Sequence, residues 1–372
     1  MTQSTQNIAI SGYYGCGNAG DEAVLAGIKQ AIRQRGGKQV SLTVLSQNPQ
    51  ATTELHGIPA VHRMNLREVR DSLKKNDLLI SGGGSLLQDT TSLKSLLYYL
   101  LVARMALHYK VPLMFYAQGM GPFHRPISRF LVKRVANRAA AITVRDEPSA
   151  ELLRKIGVTR PIEVTADPAF ALNPADDKTV NNLWLKEGMP ITSRPIIGVA
   201  LRGWGTDREA QASLYARLIE QIEEQTDAVV CMVPMQVPED VKFSELVLSK
   251  TNCPADFALI RNSYPPETLL GVIKQMSMVV AMRLHTLIFA ARAAVPLYAL
   301  SYDPKVASLM NLLEQEDCLS DWKDFDPSDV ASRVRDIMTD SDVRWQALTY
   351  KGNALELRAL RNAEIALNTM KK

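Results

Sequence analysis

The chain predicts an α/β protein built on two parallel sheets, each covered by helices on both faces. Three observations carry this. The length of 372 residues exceeds what one core normally serves, so two domains are the default. Short apolar runs alternate with helical patterns from one end to the other. The alternation breaks once, at Ala171 to Arg194, in a stretch rich in Asp, Asn, Pro and Lys. Hydrophobic residues make up 46% of the chain, enough for two cores.

In the first half, apolar runs at Ile8 to Ser11, Val40 to Leu45, Asp77 to Ser81, Pro112 to Ala117 and Ala140 to Val144 read as buried strands. The second half restarts at Ile196 to Leu201, followed by Ala228 to Val233, Ala258 to Ile260, Met278 to Met282 and Val295 to Leu300. Helical patterns separate them, among them Pro265 to Met276, which opens on paired prolines. The tail from Ser341 reads as one or two long helices. The expected division is residues 1–172 as a first Rossmann-like domain, 173–194 as linker, 195–340 as a second such domain, and 341–372 as helices packing back on the first. Two such domains facing a central cleft would turn both carboxyl edges into it, where open α/β sheets bind ligands.

Composition removes several classes. The formal net charge is +4, mildly basic, and no basic run carries interleaved aromatics, so nucleic acid is not expected. The charge is compatible with an anionic membrane surface. The four cysteines (Cys16, Cys231, Cys253, Cys318) show no metal or disulfide spacing, so no metal site is expected. MTQSTQN lacks the basic and apolar regions of a signal peptide, and SLLYYLLVARMAL is too short to span a bilayer. A cytoplasmic protein is expected, at the inner face of the membrane if it docks there.

The first strand ends in Gly12-Tyr13-Tyr14-Gly15-Cys16-Gly17-Asn18-Ala19-Gly20-Asp21-Glu22. GCGNAG fits a dinucleotide fingerprint, but the second strand ends in Leu45, Ser46 and Gln47, with no acid to hold a ribose, so NAD is rejected. Gly15 would let a ligand approach the backbone, and Asn18, Asp21 and Glu22 would hydrogen-bond sugar hydroxyls. The plain alternative is a tight turn with a helix cap. Ser81-Gly82-Gly83-Gly84-Ser85-Leu86-Leu87-Gln88-Asp89 follows the third strand in the same way. It offers Gly83, Gly84, Gln88 and Asp89 to the same acceptor, or simply a tight turn. Gln118-Gly119-Met120-Gly121-Pro122 and Arg145-Asp146 close the fourth and fifth strands. Arg145 reads as a cation aimed at a ligand, or as a surface pair with Asp146 or Glu147.

The densest chemistry lies at MVVAMRLHTLIFAARAAVPLYALSYDPK. Two strand ends there deliver Arg283, His285 and Lys305 to one edge, and the helix after His285 points its free N–H groups the same way. Cations, an imidazole and a helix N-terminus describe a site for a small, highly charged anion. The alternative is a packed histidine flanked by solvated cations.

Eight motifs in this order, GYYGCGNAGDEA, SGGGSLLQD, AQGMGP, VRDEPS, ADPAF, VALRGW, AMRLHTLIFA and SYDPK, resemble the polysaccharide pyruvyl transferases. Within that family the likeness is greatest to the CsaB-type enzymes of bacterial cell-wall polymer synthesis, and it runs from about Ile8 to about Leu313. The resemblance implies a GT-B-like fold with a C-terminal helix crossing back. It implies phosphoenolpyruvate as co-substrate, no separate cofactor, and transfer of the pyruvyl group to a sugar as a 4,6-linked ketal with release of phosphate. The acceptor implied is β-linked N-acetylmannosamine on a lipid-diphosphate-linked disaccharide, whose polymer anchors S-layer proteins. Peripheral membrane contact follows, with RQRGGK (Arg33 to Lys38) and HRPISRFLVKR (His124 to Arg134) as the basic stretches to supply it. The resemblance places donor binding on Arg145, His285 and Lys305, with Arg202 and Arg283 beside them.

That chemistry needs a proton at C3 of the enol, two sugar oxygens at C2, and a leaving phosphate. His285 would be the general acid or the phosphate's proton donor, with Arg145 and Lys305 completing the catalytic set. Asp21 and Asp89 are the candidate bases. A glycosyltransferase using a nucleotide sugar, or a sugar-phosphate-binding protein without catalysis, would share the architecture.

Overall fold

A computed structural model describes residues 6–90, 92–189, 193–252 and 257–370. The chain separates into two compact units, residues 1–172 with 355–372, and residues 173–354.

Unit 1 runs β1 (Gln6–Ser11), α1 (Ala19–Gly36), β2 (Val40–Ser46), α2 (Pro49–His56), β3 (Ala60–His62), α3 (Leu66–Leu73), β4 (Leu78–Gly82), α4 (Leu93–His108), β5 (Leu113–Gln118), α5 (Pro126–Ala136), β6 (Ala141–Val144), α6 (Glu147–Lys155) and β7 (Glu163–Val164). The sheet order is β3-β2-β1-β4-β5-β6-β7, and every pairing is parallel. The order reverses at β1, so the loops after β1 and β4 leave in the crevice where such sheets bind ligands. Both are glycine-rich. β1, β4 and β5 are almost wholly buried, which is why they read as continuous apolar runs.

Unit 2 runs α7 (Asp177–Glu187), β8 (Ile196–Ala200), α8 (Arg208–Thr226), β9 (Val229–Met232), α9 (Glu239–Leu248), β10 (Phe257–Leu259), α10 (Pro266–Lys274), β11 (Met278–Ala281), α11 (Leu284–Arg292), β12 (Leu297–Ser301), α12 (Pro304–Leu312), β13 (Leu319–Asp321), α13 (Pro327–Thr339) and α14 (Ser341–Met370). Its parallel sheet has the order β10-β9-β8-β11-β12-β13. The reversal falls at β8, next to β11.

Three short strands, β3, β7 and β13, escape the sequence reading. Each holds two or three residues at or near a sheet edge and lacks an apolar run. Residues 173–194, read as linker, instead contain helix α7. It is capped by Asp176, whose side chain accepts from the Thr179 N–H, and its Trp184 indole donates to Gln275 at 2.8 Å. The polar composition belongs to the exposed face of that helix, with Val180 and Leu183 buried beneath. The tail is one helix, and its two ends belong to different units. In unit 2, Gly352 lies against α11: a Cβ there would come within 2.6 Å of the Ala291 carbonyl oxygen. In unit 1, the fully buried Asn362 accepts from the Thr165 hydroxyl at 2.8 Å, and Arg358 donates to the Thr165 carbonyl at 2.7 Å.

Candidate active site

In unit 1 the two glycine loops lock together. The Tyr14 hydroxyl, buried, donates to the Gly82 carbonyl at 2.9 Å. Gly83 sits in left-handed conformation (φ +66°) so close to α1 that a Cβ would fall 1.7 Å from Val24 Cγ1. Gly84 (φ +63°) has Asp21 Oδ1 3.0 Å from the corresponding position. The loops are therefore one surface, with part-exposed Asp21 beside Gly84.

Most of the predicted acceptor residues turn out to build this surface. Gly15 packs on the β2–α2 turn, where a Cβ would strike Ser46 Oγ at 2.2 Å. Its N–H donates to Glu22 Oε1 at 2.8 Å, and Glu22 Oε2 meets His56 Nε2 at 2.8 Å, so buried Glu22 is not offered to a sugar. Asn18 caps α1, accepting from the Gly20 N–H. Gln88 Oε1 accepts from the Thr90 N–H at 2.7 Å. Asp89 is a correction: it is buried, and its two oxygens accept from the N–H groups of His124 at 2.7 Å and Arg125 at 2.9 Å. Burial pushes its carboxyl up, but its hydrogen bonds, those two foremost, together with the nearby His124 hold the carboxyl below its ordinary range. It staples the loop before α5 and makes a poor base. Asp21 remains.

Arg145 is buried, and its main partner is neither Asp146 nor Glu147. Its Nη1 donates to Asp167 at 3.0 Å, its Nη2 to Ser85 Oγ at 3.3 Å, and its Nε to Asp146 at 3.4 Å. Asp167 is itself buried and accepts from the Ala169 N–H. Gly119 makes room for the guanidinium: a Cβ there would lie 2.9 Å from Nη2 and 2.7 Å from Ser85 Oγ. A bulge in β5 at Ala117 (φ +48°), whose N–H is held by Thr143 Oγ1 at 2.8 Å, redirects the chain just before that position. On the opposite flank of the loops stands Arg63, which the sequence reading passed over because a lone Arg after a three-residue strand carries no motif. It is buried, donates to the Gly12 carbonyl at 3.4 Å, and lies 4.5 Å and 5.2 Å from the ring centres of Tyr98 and Tyr99.

In unit 2 the predicted residues fall on neighbouring strand ends. β11 and β12 pair with Ala281 opposite Ala299. His285 is the second residue of α11 and Lys305 the second of α12, so each stands, half-buried, in the first turn of its helix at the carboxyl edge of the sheet, with His285 Nε2 buried. Asp303 caps α12 through the Lys305 N–H at 3.0 Å, and the Lys305 ammonium is 3.6 Å from its carboxylate. From the strand next to β11, Arg202 lies 4.7 Å from the ring centre of Trp204, whose ring is 5.2 Å from that of Tyr302. These rings tie the loop after β8 to the loop after β12.

Arg283 does not present an open fork. Its Nε donates to Asp240 Oδ2 at 2.9 Å and its Nη2 to Oδ1 of the same carboxylate, with both side chains buried. Asp240 also accepts from the Met235 and Gln236 N–H groups. The pair fixes the loop after β9 to the turn that opens α11. Asp240 escaped the sequence reading because a helix-opening acid is common; the partner 43 positions away becomes visible only in the fold.

Among the described residues, no three His, Cys, Asp or Glu side chains gather as metal ligands. A cavity of about 430 Å³, lined by Pro195, Met276, Pro296 and Trp345 among others, lies at the amino ends of β8, β11 and β12 and holds none of the predicted site residues.

Cations at the carboxyl edge of each sheet, with glycine loops at one of them, define a two-sheet α/β protein whose strand ends suit an anionic ligand. The polysaccharide pyruvyl transferase family model matches residues 18–304, and the chain belongs to that family. The matched span contains Arg145, Arg202, Arg283 and His285, and ends one residue before Lys305. No curated protein matches the sequence. Solved structures share the fold. The UDP-GlcNAc 2-epimerase of Neisseria meningitidis bound to UDP-GlcNAc has a TM-score of 0.63 at 11% identity, covering 98% of this chain and 100% of its own. A glycosyltransferase from Rickettsia africae gives 0.63 at 12%, covering all of both chains. The ADP-heptose heptosyltransferase II of E. coli gives 0.54 at 14%, covering 91% and 99%. The fold is therefore GT-B-like. No helix among the described residues is long and apolar enough to cross a membrane.

Proposed function

We propose that this transferase moves the pyruvyl group of phosphoenolpyruvate to two hydroxyls of a sugar, forming a ketal and releasing phosphate. The observation that carries the donor reading is the pairing of His285 and Lys305 at adjacent helix N-termini. Phosphoenolpyruvate brings a carboxylate and a phosphate, and two helix N-termini with an ammonium suit two oxyanions. A nucleotide sugar would instead need a carboxylate for its ribose, and Asp240 is engaged by Arg283.

His285 delivers a proton to C3 of the enol, which becomes a methyl group and leaves C2 cation-like. The two sugar oxygens each form a bond to C2, the C2–O bond to phosphate breaks, and the second hydroxyl proton leaves with phosphate or solvent. Asp21, part-exposed at the glycine loops, is the base for a hydroxyl. Lys305 and Arg202 hold the donor's anionic groups, and Arg283 acts through Asp240 by fixing the turn that carries His285. Arg145 joins the donor set on the strength of the family motif around it. Unit 1 takes the acceptor, a lipid-diphosphate-linked disaccharide ending in β-linked N-acetylmannosamine, as in CsaB-type enzymes of cell-wall synthesis; the protein then acts at the inner face of the membrane.

A ligand that binds only the native state raises its melting temperature. Phosphoenolpyruvate at about 100 times its Kd should stabilise the protein by about 2.7 kcal/mol, and Lys305→Ala should abolish the shift. UDP- or ADP-sugars should give none. Stabilisation by a nucleotide sugar and not by phosphoenolpyruvate would replace this reading with glycosyl transfer.

A further inference from the structure

The net charge of +4 is unevenly distributed. From Thr90 to Arg145 the chain carries nine Lys and Arg and no Asp or Glu. This stretch supplies α4 and α5, which pack against each other in unit 1. Each helix packs a normal apolar face inward: Leu96, Leu100 and Ala103 from α4, and Val132, Val135 and Ala136 from α5. The outer faces are not normal. Along α4 the exposed positions are Lys94, Leu97, Leu101, Arg104 and His108, a single helical stripe at i, i+3, i+7, i+10 and i+14. Leu97 and Leu101 are each 42% exposed. On α5, Ile127 is 51% and Phe130 54% exposed, with Arg134 one turn beyond on the same face and Lys133 beside it.

We propose that these outer faces of α4 and α5 form a docking surface for an anionic lipid bilayer. Scattered exposed leucines are ordinary, but four large apolar side chains on two adjacent helices make a patch. Lys and Arg flank these side chains along both helices and neither helix carries a carboxylate, which is the composition of an interfacial surface: apolar groups enter the acyl boundary while Lys and Arg stay with the headgroups. Charge complementarity selects the occupant, because two helix faces that carry cations and no acid repel a second copy of themselves. Leu97, Ile127 and Phe130 lie in the amino-terminal halves of their helices, and Leu101 lies at the middle of α4. The amino ends face the end of unit 1 bearing the glycine loops, so the surface extends the proposal of a lipid-linked acceptor, while its test needs no turnover.

The probe is a sucrose-loaded vesicle of phosphatidylcholine with or without phosphatidylglycerol, sedimented with the full chain. Binding should require the anionic lipid and fall steeply with salt. Lys94→Gln, Arg104→Gln and Arg134→Gln together should weaken partitioning by roughly 100-fold, each charge near the surface being worth about fivefold. Arg129 is left in place because its Nε holds the Phe123 carbonyl at 2.9 Å. Phe130→Trp tests insertion directly, and its added emission should shift to the blue on anionic vesicles. Equal binding to neutral and anionic vesicles, no binding at all, or an unshifted tryptophan at position 130 would overturn the proposal. So would a dimer in solution that dissociates on Phe130→Asp, since a second copy would then cover the patch. Unchanged melting temperatures would confirm that the variants act at the surface and not on the fold. If vesicles bind but phosphoenolpyruvate does not, the docking surface stands and the catalytic reading falls.

Discussion

The residues around Arg145 show how a small side chain can set the place of a charged one. Its guanidinium is buried, so the charge must be matched, and Asp167 matches it. The fork then stands where Gly119 leaves space for it, with no room for a methyl group. Gly119→Ala should move the guanidinium while leaving the peptide backbone in an allowed region, since φ at 119 is not positive. The expected result is a KM for phosphoenolpyruvate raised by about tenfold or more, as when one charged hydrogen bond worth about 1.5–3 kcal/mol is weakened. The melting temperature should fall far less than in Asp167→Ala, which strands a buried charge at a cost of about 3–5 kcal/mol. Steady-state kinetics with a thermal scan separates the two; an unchanged KM would remove Arg145 from the donor. Such partnerships explain what the sequence withheld. The places of His285 and Lys305 at strand-to-helix turns were legible because such turns have a signature. Asp167, Asp240 and Arg63 act through partners 22, 43 and 51 positions away, and no local pattern announces them. Asp89 misled because a carboxylate after a glycine loop looks the same whether it faces a ligand or caps a neighbouring loop.

At the scale of elements, the buried central strands were readable because parallel sheets leave them apolar on both faces. β3, β7 and β13 were not, being short strands at or near the edges. α7 was mistaken for linker because a helix that buries only Val180 and Leu183 keeps a polar composition. The approach of α14 to α11 has a clear consequence. Replacing a mid-helix glycine by alanine normally stabilises a helix by about 1 kcal/mol. At Gly352 the new methyl would press on the Ala291 carbonyl, a backbone atom that cannot rotate away. Gly352→Ala should therefore lower the melting temperature, by up to roughly 8 °C when overpacking of about 1–3 kcal/mol is set against that gain. A scanning calorimeter reads this directly, and a rise would show that the two helices part without cost. α11 carries His285 at its other end, so KM and kcat in the same variant report whether that packing reaches the site.

For the whole molecule, the division into two α/β units and the family were legible because the motifs recur at one place in each unit, the carboxyl ends of strands. The acceptor was not, since most of the glycine-loop residues assigned to it serve the loops' own packing. The central claim is that His285 protonates C3 of phosphoenolpyruvate in forming a ketal. Running the reaction in D₂O with a disaccharide acceptor and examining the product by mass spectrometry and NMR tests it most directly. The account requires a ketal whose methyl group carries a single deuteron from solvent, one phosphate released per ketal, and a rate lowered by roughly 10²–10⁴-fold in folded His285→Ala. A glycosylated product, a methyl group without deuterium, or undiminished turnover in His285→Ala would contradict it.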